Sequence, residues 1–138
     1  MVFHNNNLSA PVSFNIAGRQ SDLQEWEAIA LDGSTSDLYA RNSANPTALE
    51  VEHHLKGLEK SEAAVSYASG MAAISNTLAT FLKPGDRVVS IKDSYGGTNV
   101  IFNEFLPPLN IIVSLCETGD YEEIEAEIAK GCTLLYLE

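Results

Sequence analysis

Glu62-Ala63-Ala64-Val65-Ser66-Tyr67-Ala68-Ser69-Gly70-Met71-Ala72-Ala73-Ile74 reads as a short buried strand, a Ser-Gly break and an apolar helix. A strand that feeds a helix through a glycine turn leaves unpaired backbone N–H groups at the helix start. These face the carboxyl end of the sheet, and with the helix dipole they form a natural anion site. In an open α/β sheet the same edge is where ligands bind. Ser-Gly by itself is ordinary turn chemistry, and most such turns bind nothing.

Downstream, strand and helix patterns alternate. Met71 to Leu82 is predicted as a helix with so few polar residues that it should be covered on more than one side. Lys83-Pro84-Gly85-Asp86 stops it and turns the chain. Arg87 to Lys92 reads as a strand, and Asp93-Ser94-Tyr95-Gly96-Gly97-Thr98 as a loop at its carboxyl end. Asn99 to Phe105 is a short helix ended by Pro107-Pro108, and Asn110 to Cys116 is a strand again. Tyr121, Ile124 and Ile128 then share one helical face. Asp120 is a candidate N-cap, Glu122 and Glu123 suit the first turn, Lys130 the last, and Gly131 the C′ position. Cys132 to Leu137 is the last strand. Such alternation marks a parallel α/β sheet, and its strands are nearly continuous apolar runs, as strands covered on both faces should be.

Upstream, Pro46 forces Asn45 into an extended conformation, and Thr47 with Glu50 reads as a capping box. A helix from Ala48 to Lys60 should carry Val51, Leu55 and Leu58 on one face. His53 and His54 point about 100° apart on it, so they do not serve one metal ion. Residues 1–44 are an irregular arm, with loop chemistry at Gly18, Gly33 and Ser34-Thr35-Ser36-Asp37. Ser21-Asp22 opens one short helix there, carrying Leu23, Trp26 and Ile29. So weakly patterned an arm is expected to pack on another chain or on another part of its own. Residues 45–138 form an α/β domain that closes on the apolar strand Leu134-Leu135-Tyr136-Leu137-Glu138, which reads as an incomplete domain.

The 138 residues suffice for one ordinary core. With 19 acids against 8 Lys plus Arg, the net charge of −11 argues against nucleic acid or an anionic membrane as partner. Cys116 and Cys132 sit in apolar runs without metal-ligand spacing, so they read as free thiols in a reducing cytoplasm, and no metal site is expected. No signal peptide, no run of membrane-spanning length and no repeat is visible.

Several motifs line up in order: Tyr39-Ala40-Arg41, Asn45-Pro46-Thr47, Leu49-Glu50, Ser69-Gly70-Met71-Ala72-Ala73, Lys83-Pro84-Gly85-Asp86, Tyr95-Gly96-Gly97-Thr98 and Leu135-Tyr136-Leu137-Glu138. Together they resemble the cystathionine γ-synthase-like family. This is the transsulfuration branch of the fold-type I, aspartate aminotransferase-like enzymes that use pyridoxal 5'-phosphate (PLP). The resemblance covers nearly all of residues 39–138. It implies an N-terminal arm followed by the first half of a mainly parallel-sheet large domain.

The resemblance also implies roles. Ser69, Gly70 and Met71 match the segment whose backbone N–H groups bind the PLP phosphate. Tyr95 matches the tyrosine that stacks on the pyridine ring, with its phenol near the reacting atoms, where it can act as acid or base. Tyr39 and Arg41 match a pair that reaches the phosphate of the neighbouring subunit, a task suited to the forked, permanently charged guanidinium. Glu138 matches a glutamate beside the cofactor. There are departures. Arg41 stands one residue farther from Asn45-Pro46 than is common, Ala40 replaces a frequent serine, and the arm is abbreviated. Gly97 stands where methionine γ-lyases typically carry cysteine, which argues against that member.

Family members are far longer. Beyond these residues lie their cofactor lysine, the Asp for the pyridine nitrogen, the Ser/Thr phosphate ligands and the Arg for the substrate carboxylate. Lys56, Lys60, Lys83, Lys92 and Lys130 match none of the lysine's context. The expectation is a chain that does not catalyse alone. It should work as a homo- or hetero-oligomer with a complementary lysine-bearing chain on an amino-acid substrate. The alternatives are an inactive truncated relative serving as an interaction or regulatory subunit, and a fragment of a longer product.

Overall fold

The structure, a computed structural model, describes residues 11–18, 21–32, 39–40 and 45–138. They divide into two units, Met1–Ser66 and Tyr67–Glu138, which groups the helix after Asn45 with the residues before it.

In the first unit, α1 (Leu23–Asp32) begins where Ser21-Asp22 predicts. Asp22 Oδ1 accepts the Glu25 N–H at 2.8 Å, and Glu25 Oε2 accepts both the N–H and the hydroxyl of Ser21. Ile29 is buried and Trp26 half-exposed. The second helix, α2 (Pro46–Glu59), starts two residues before the predicted Ala48. Its cap is Asn45, not Thr47: Asn45 Oδ1 accepts the N–H groups of Thr47 and Ala48 at 2.9 and 3.2 Å. Pro46 then costs the helix nothing, because the first-turn N–H it lacks has no intrahelical partner anyway. Thr47 Oγ1 instead accepts the Ser13 N–H at 2.7 Å, and Glu50 lies 3.1 Å from His54, so no capping box forms. Val51, Leu55 and Leu58 share a face, but no residue of α2 is buried.

The segment expected as a buried strand, 63–67, has no ladder partner among the described residues. Val65 and Tyr67 are exposed. Apolar content makes a segment able to be a strand, but backbone groups go to whichever partner satisfies them. Here Glu52 Oε1 takes the N–H and hydroxyl of Ser66 at 2.8 and 2.7 Å.

The second unit is built on a parallel sheet of order β2-β1-β3. The central strand is β1 (Arg87–Ile91), with Val88, Val89 and Ser90 fully buried. It pairs with β2 (Ile112–Cys116) from Arg87↔Ile112 to Ile91↔Cys116. It pairs with β3 (Leu134–Leu135) only over Val88↔Leu134 and Val89↔Leu135, a shorter ladder than the apolar run predicts. Before β1 comes α3 (Gly70–Phe81), capped by Ser69, whose Oγ accepts the Ala72 N–H at 3.1 Å. Leu78 and Leu82 join Val88, Phe102, Leu106 and Ile111 in the core. Only Leu78 of α3 is buried and Phe81 is exposed, so among the described residues the helix is covered on one side rather than several. An apolar groove of about 350 Å³ runs along it, bounded by Leu78, Leu82, Phe105 and Leu109.

The crossover from β1 to β2 is helical from Gly96, three residues earlier than predicted. It runs as α4 (Gly96–Val100), then as a π turn (Ile101–Phe105), then as a 3-10 turn (Pro107–Leu109). The π turn is closed by the Leu106 N–H on the Ile101 carbonyl at 2.9 Å. Between β2 and β3 lies α5 (Tyr121–Ala129), with Asp120 Oδ1 accepting the Glu123 N–H at 2.9 Å and Gly131 at φ 101°, as its cap residues predict. Cys116 and Cys132 are free, and burial pushes the Cys116 thiol pKa up, which keeps it protonated and inert. Among the described residues there is no cluster able to hold a metal, and no helix is long and apolar enough to cross a membrane.

One polar network ties the sheet to α5. Arg87 and the Ser114 hydroxyl both donate to Glu127 Oε2, at 3.1 and 2.9 Å, and Lys130 pairs with the same carboxylate. Lys130, then Ser114, with Arg87 behind them, hold the Glu127 pKa below its ordinary 4.5. A carboxylate with a depressed folded pKa contributes stability above its unfolded pKa and loses it as pH falls through the folded value. Urea midpoints should therefore fall as the pH drops below the ordinary carboxylate range, and Glu127→Gln should flatten that slope. For the α2 cap, Asn45→Ala should cost about 1 kcal/mol in chemical denaturation, and Glu50→Ala no more than a few tenths.

Candidate cofactor site

Ser69 is extended, at φ −160°, and enters α3 with its hydroxyl committed to the Ala72 N–H and its carbonyl to the Ala73 N–H. The two N–H groups between, on Gly70 and Met71, have no acceptor among the described residues. They are first-turn donors at the positive end of the helix dipole. A Cβ on Gly70 would meet nothing within 4 Å, so an anion has room to approach the backbone.

A second wall comes from the carboxyl end of β1. Tyr95 is the last residue before α4, and its side chain is exposed. Gly97 brings the two walls together. A Cβ built there would lie 2.9 Å from Met71 Sδ and 2.9 Å from Tyr95 Cε1, so both side chains converge over this one glycine. Glycine early in a helix is costly, and close approach of neighbours is what it allows.

A third element lies three residues beyond β3. Glu138 Oε2 accepts the Tyr95 N–H at 3.1 Å and the Tyr136 hydroxyl at 3.2 Å. The Tyr136 ring meets Phe102 edge-on at 5.5 Å, and its burial raises the phenol pKa, which keeps it a donor at neutral pH. The fully buried Thr98 hydroxyl lies against the same phenol. The Glu138 carboxylate therefore holds the backbone of Tyr95 in place.

Two free N–H donors on a helix start suit a phosphate monoester, and an exposed aromatic face beside them suits a planar heterocycle. These residues fit PLP. Of the residues singled out in the sequence, Ser69, Gly70, Met71, Tyr95 and Glu138 form one cluster in the second unit. Tyr39 lies in the first unit, partly exposed, and Arg41 lies outside the described residues. Gly97 and Tyr136 entered the sequence reading only as motif positions, not as residues of the site. The Gly96-Gly97 pair looked like loop chemistry, whereas it starts a helix, and Tyr136 acts through contacts distant in sequence.

Gly97→Ala should separate shape from stability. The obstructing atoms belong to two side chains that can swing aside, so the cost in urea denaturation should be about 1 kcal/mol, the low end for an inserted methyl. The Tyr95 ring should nevertheless be displaced, read as a changed tyrosine ring shift in NMR spectra.

Residues 5–138 match the family described as Cys/Met metabolism PLP-dependent enzyme. The L-methionine gamma-lyase of Fusobacterium nucleatum subsp. nucleatum is 39% identical over 94 residues, covering 68% of this chain and 24% of that protein. The cystathionine gamma-lyase of Bacillus subtilis is 37% identical over 100 residues, covering 72% and 26%. Among solved structures, a protein described as an O-acetylhomoserine (thiol)-lyase from Campylobacter jejuni superposes with a TM-score of 0.75 at 26% identity, covering 87% of this chain and 29% of that one. That crystal structure contains N'-pyridoxyl-lysine-5'-monophosphate. The chain spans about a quarter of the length of the curated relatives it matches. A methionine gamma-lyase is among these relatives, so Gly97 alone does not set the chain apart from that branch. Family, fold and site geometry agree: the chain belongs to the Cys/Met metabolism PLP-dependent enzymes of fold type I.

Proposed function

We propose that this chain supplies the phosphate cup and the ring-stacking wall of an enzyme that eliminates or replaces a β- or γ-substituent on a sulfur- or oxygen-substituted amino acid. The observation that carries the reading is the convergence of Met71 and Tyr95 over Gly97, beside the unpartnered N–H groups of Gly70 and Met71. In this reading Gly70 and Met71 donate to the cofactor phosphate, and Ser69 keeps the helix start in shape for them. Tyr95 lays its ring on the cofactor and carries a phenol that holds or moves a proton at the reacting edge. Glu138 fixes the Tyr95 backbone. When bound, PLP supplies the electron sink that loosens bonds at the amino acid's α and β carbons.

The lysine that bonds the cofactor is provided by a complementary chain, and Tyr39 and Arg41 reach the phosphate of a neighbouring subunit. The assembly is an oligomer that works in the cytoplasm, where both thiols stay reduced. The competing reading is an inactive interaction or regulatory subunit. The open apolar groove beside α3 favours it, since such a surface serves association.

The two are separated by assembling the chain with a lysine-bearing polypeptide that covers the rest of a relative's length. PLP affinity and thiol release from a sulfur-substituted amino acid are then measured. Tyr95→Ala should weaken PLP by about tenfold, the weight of one lost aromatic stack, and abolish most turnover. A complex that forms normally and is indifferent to Tyr95→Ala would overturn the enzymatic reading in favour of the interaction subunit.

A further inference from the structure

The turn that carries Tyr95 has no cap of its own. β1 ends at Ile91, α4 begins at Gly96, and Tyr95 occupies the cap position without a side-chain hydrogen bond to the helix. The four residues between, Lys92 to Tyr95, expose carbonyls that no strand satisfies. Asn99, one turn into the helix, reaches back to them. Its Nδ2 donates to the Lys92 carbonyl at 3.0 Å and to the Ser94 carbonyl at 2.9 Å. Its backbone N–H donates to the Tyr95 carbonyl at 2.9 Å. Both side-chain partners are carbonyl oxygens, so the amide can face them only with its NH2 group. Asn99 is half-buried.

We infer that Asn99 is a positioning residue for Tyr95, clamping the turn so that the ring faces the α3 N-terminus. Tyr95 is thereby held on both sides: its N–H by Glu138, and the Ser94 carbonyl before it and its own carbonyl by Asn99. The clamp has its own support. Asn103 Nδ2 donates to the Asn99 carbonyl at 2.8 Å, from within the π turn Ile101–Phe105. π turns concentrate at functional sites because they re-aim groups that a regular helix would misplace. The chemistry demanded of residue 99 is narrow. It needs two N–H hydrogens on one short, forked group. Aspartate has the shape without a donor and would set a carboxylate against two carbonyls. Alanine removes the clamp, and glutamine keeps the donors on a longer stem.

The inference rests on the reading that Tyr95 faces PLP, so the test has one arm free of the cofactor. Amide hydrogen exchange of the full chain reads the turn directly. Asn99→Asp should speed exchange at the amides of Tyr95 and of residue 99, which are hydrogen-bonded to Glu138 and to the Tyr95 carbonyl, by about tenfold, the equivalent of one hydrogen bond, and leave Val88 to Ile91 unchanged. Titration of the lysine-complemented complex with PLP reads the consequence. Asn99→Asp and Asn99→Ala should weaken PLP to a similar degree as Tyr95→Ala, the combination with Tyr95→Ala should add nothing, and Asn99→Gln should restore part of the affinity. Unchanged exchange at both of these amides, Tyr95 and residue 99, in Asn99→Asp would overturn the clamp. PLP affinity that depends on Tyr95 but not on Asn99 would overturn the positioning role. Indifference of PLP to Tyr95→Ala, with faster exchange in Asn99→Asp, would remove the ring-stacking reading while leaving the clamp standing.

Discussion

Parallel pairing on β1 is the constraint from which the site follows. Strands that run the same way deliver all their carboxyl ends to one edge, and each end then leads into a new segment there. In this unit the three ends are tied to one another. Lys92, following β1, pairs with Glu117, following β2. Tyr95, from the turn after β1, donates its N–H to Glu138, beyond β3. The site is thus a consequence of strand direction, made specific by which side chains stand at the ends. Burial of Val88, Val89 and Ser90 to zero exposure makes β1 the fixed axis for these attachments.

The α3 N-terminus joins that edge through contact rather than pairing. Met71 and the Tyr95 ring both close over Gly97, and a single added methyl at 97 would press on both. The α3 N-terminus and the Tyr95 wall are separated in sequence by the rest of α3, a turn and β1. Their spacing depends on the core contacts of Leu78 and Leu82 with Val88 and Phe102. A rigid core holding an exposed and solvent-accessible site is the usual division of labour between packing and function.

Legibility in the sequence followed the range of the interactions. Ser69, Asp120, Gly85 and Gly131 act within a few residues of themselves, and their roles as caps and turns were readable from local chemistry. The parallel α/β order after Lys83 was readable from the same punctuation. The helix start with its two unpartnered N–H groups was readable because the orphan donors of a first turn are a property of any helix. Asn45 against Thr47 was a local competition that two capping-competent residues could not settle by type. The failure at 63–67 was of another kind, since apolar content says nothing of whether a pairing edge is present. Gly97 and Asn99 stand within four residues of Tyr95, yet what they do there depends on Met71 from α3 and on the path of the turn, which residue type does not show, and Tyr136 reaches Phe102 across the fold. The family resemblance supplied what spacing could not, an expectation of which among many ordinary turns would face a cofactor.

The short β3 ladder has a consequence in folding time. β1 meets β2 after closing a loop of about 25 residues and meets β3 only after closing one of about 46, which adds about 0.5 kcal/mol of loop entropy. The later contact is also the weaker, with two paired residues against five. The β1–β2 pair and its helical crossover can therefore form as an early nucleus, and β3 docks onto a finished edge. Glu138 arrives with that last strand. The Tyr95 turn is built first and locked last, so its final shape waits on the pairing of β3.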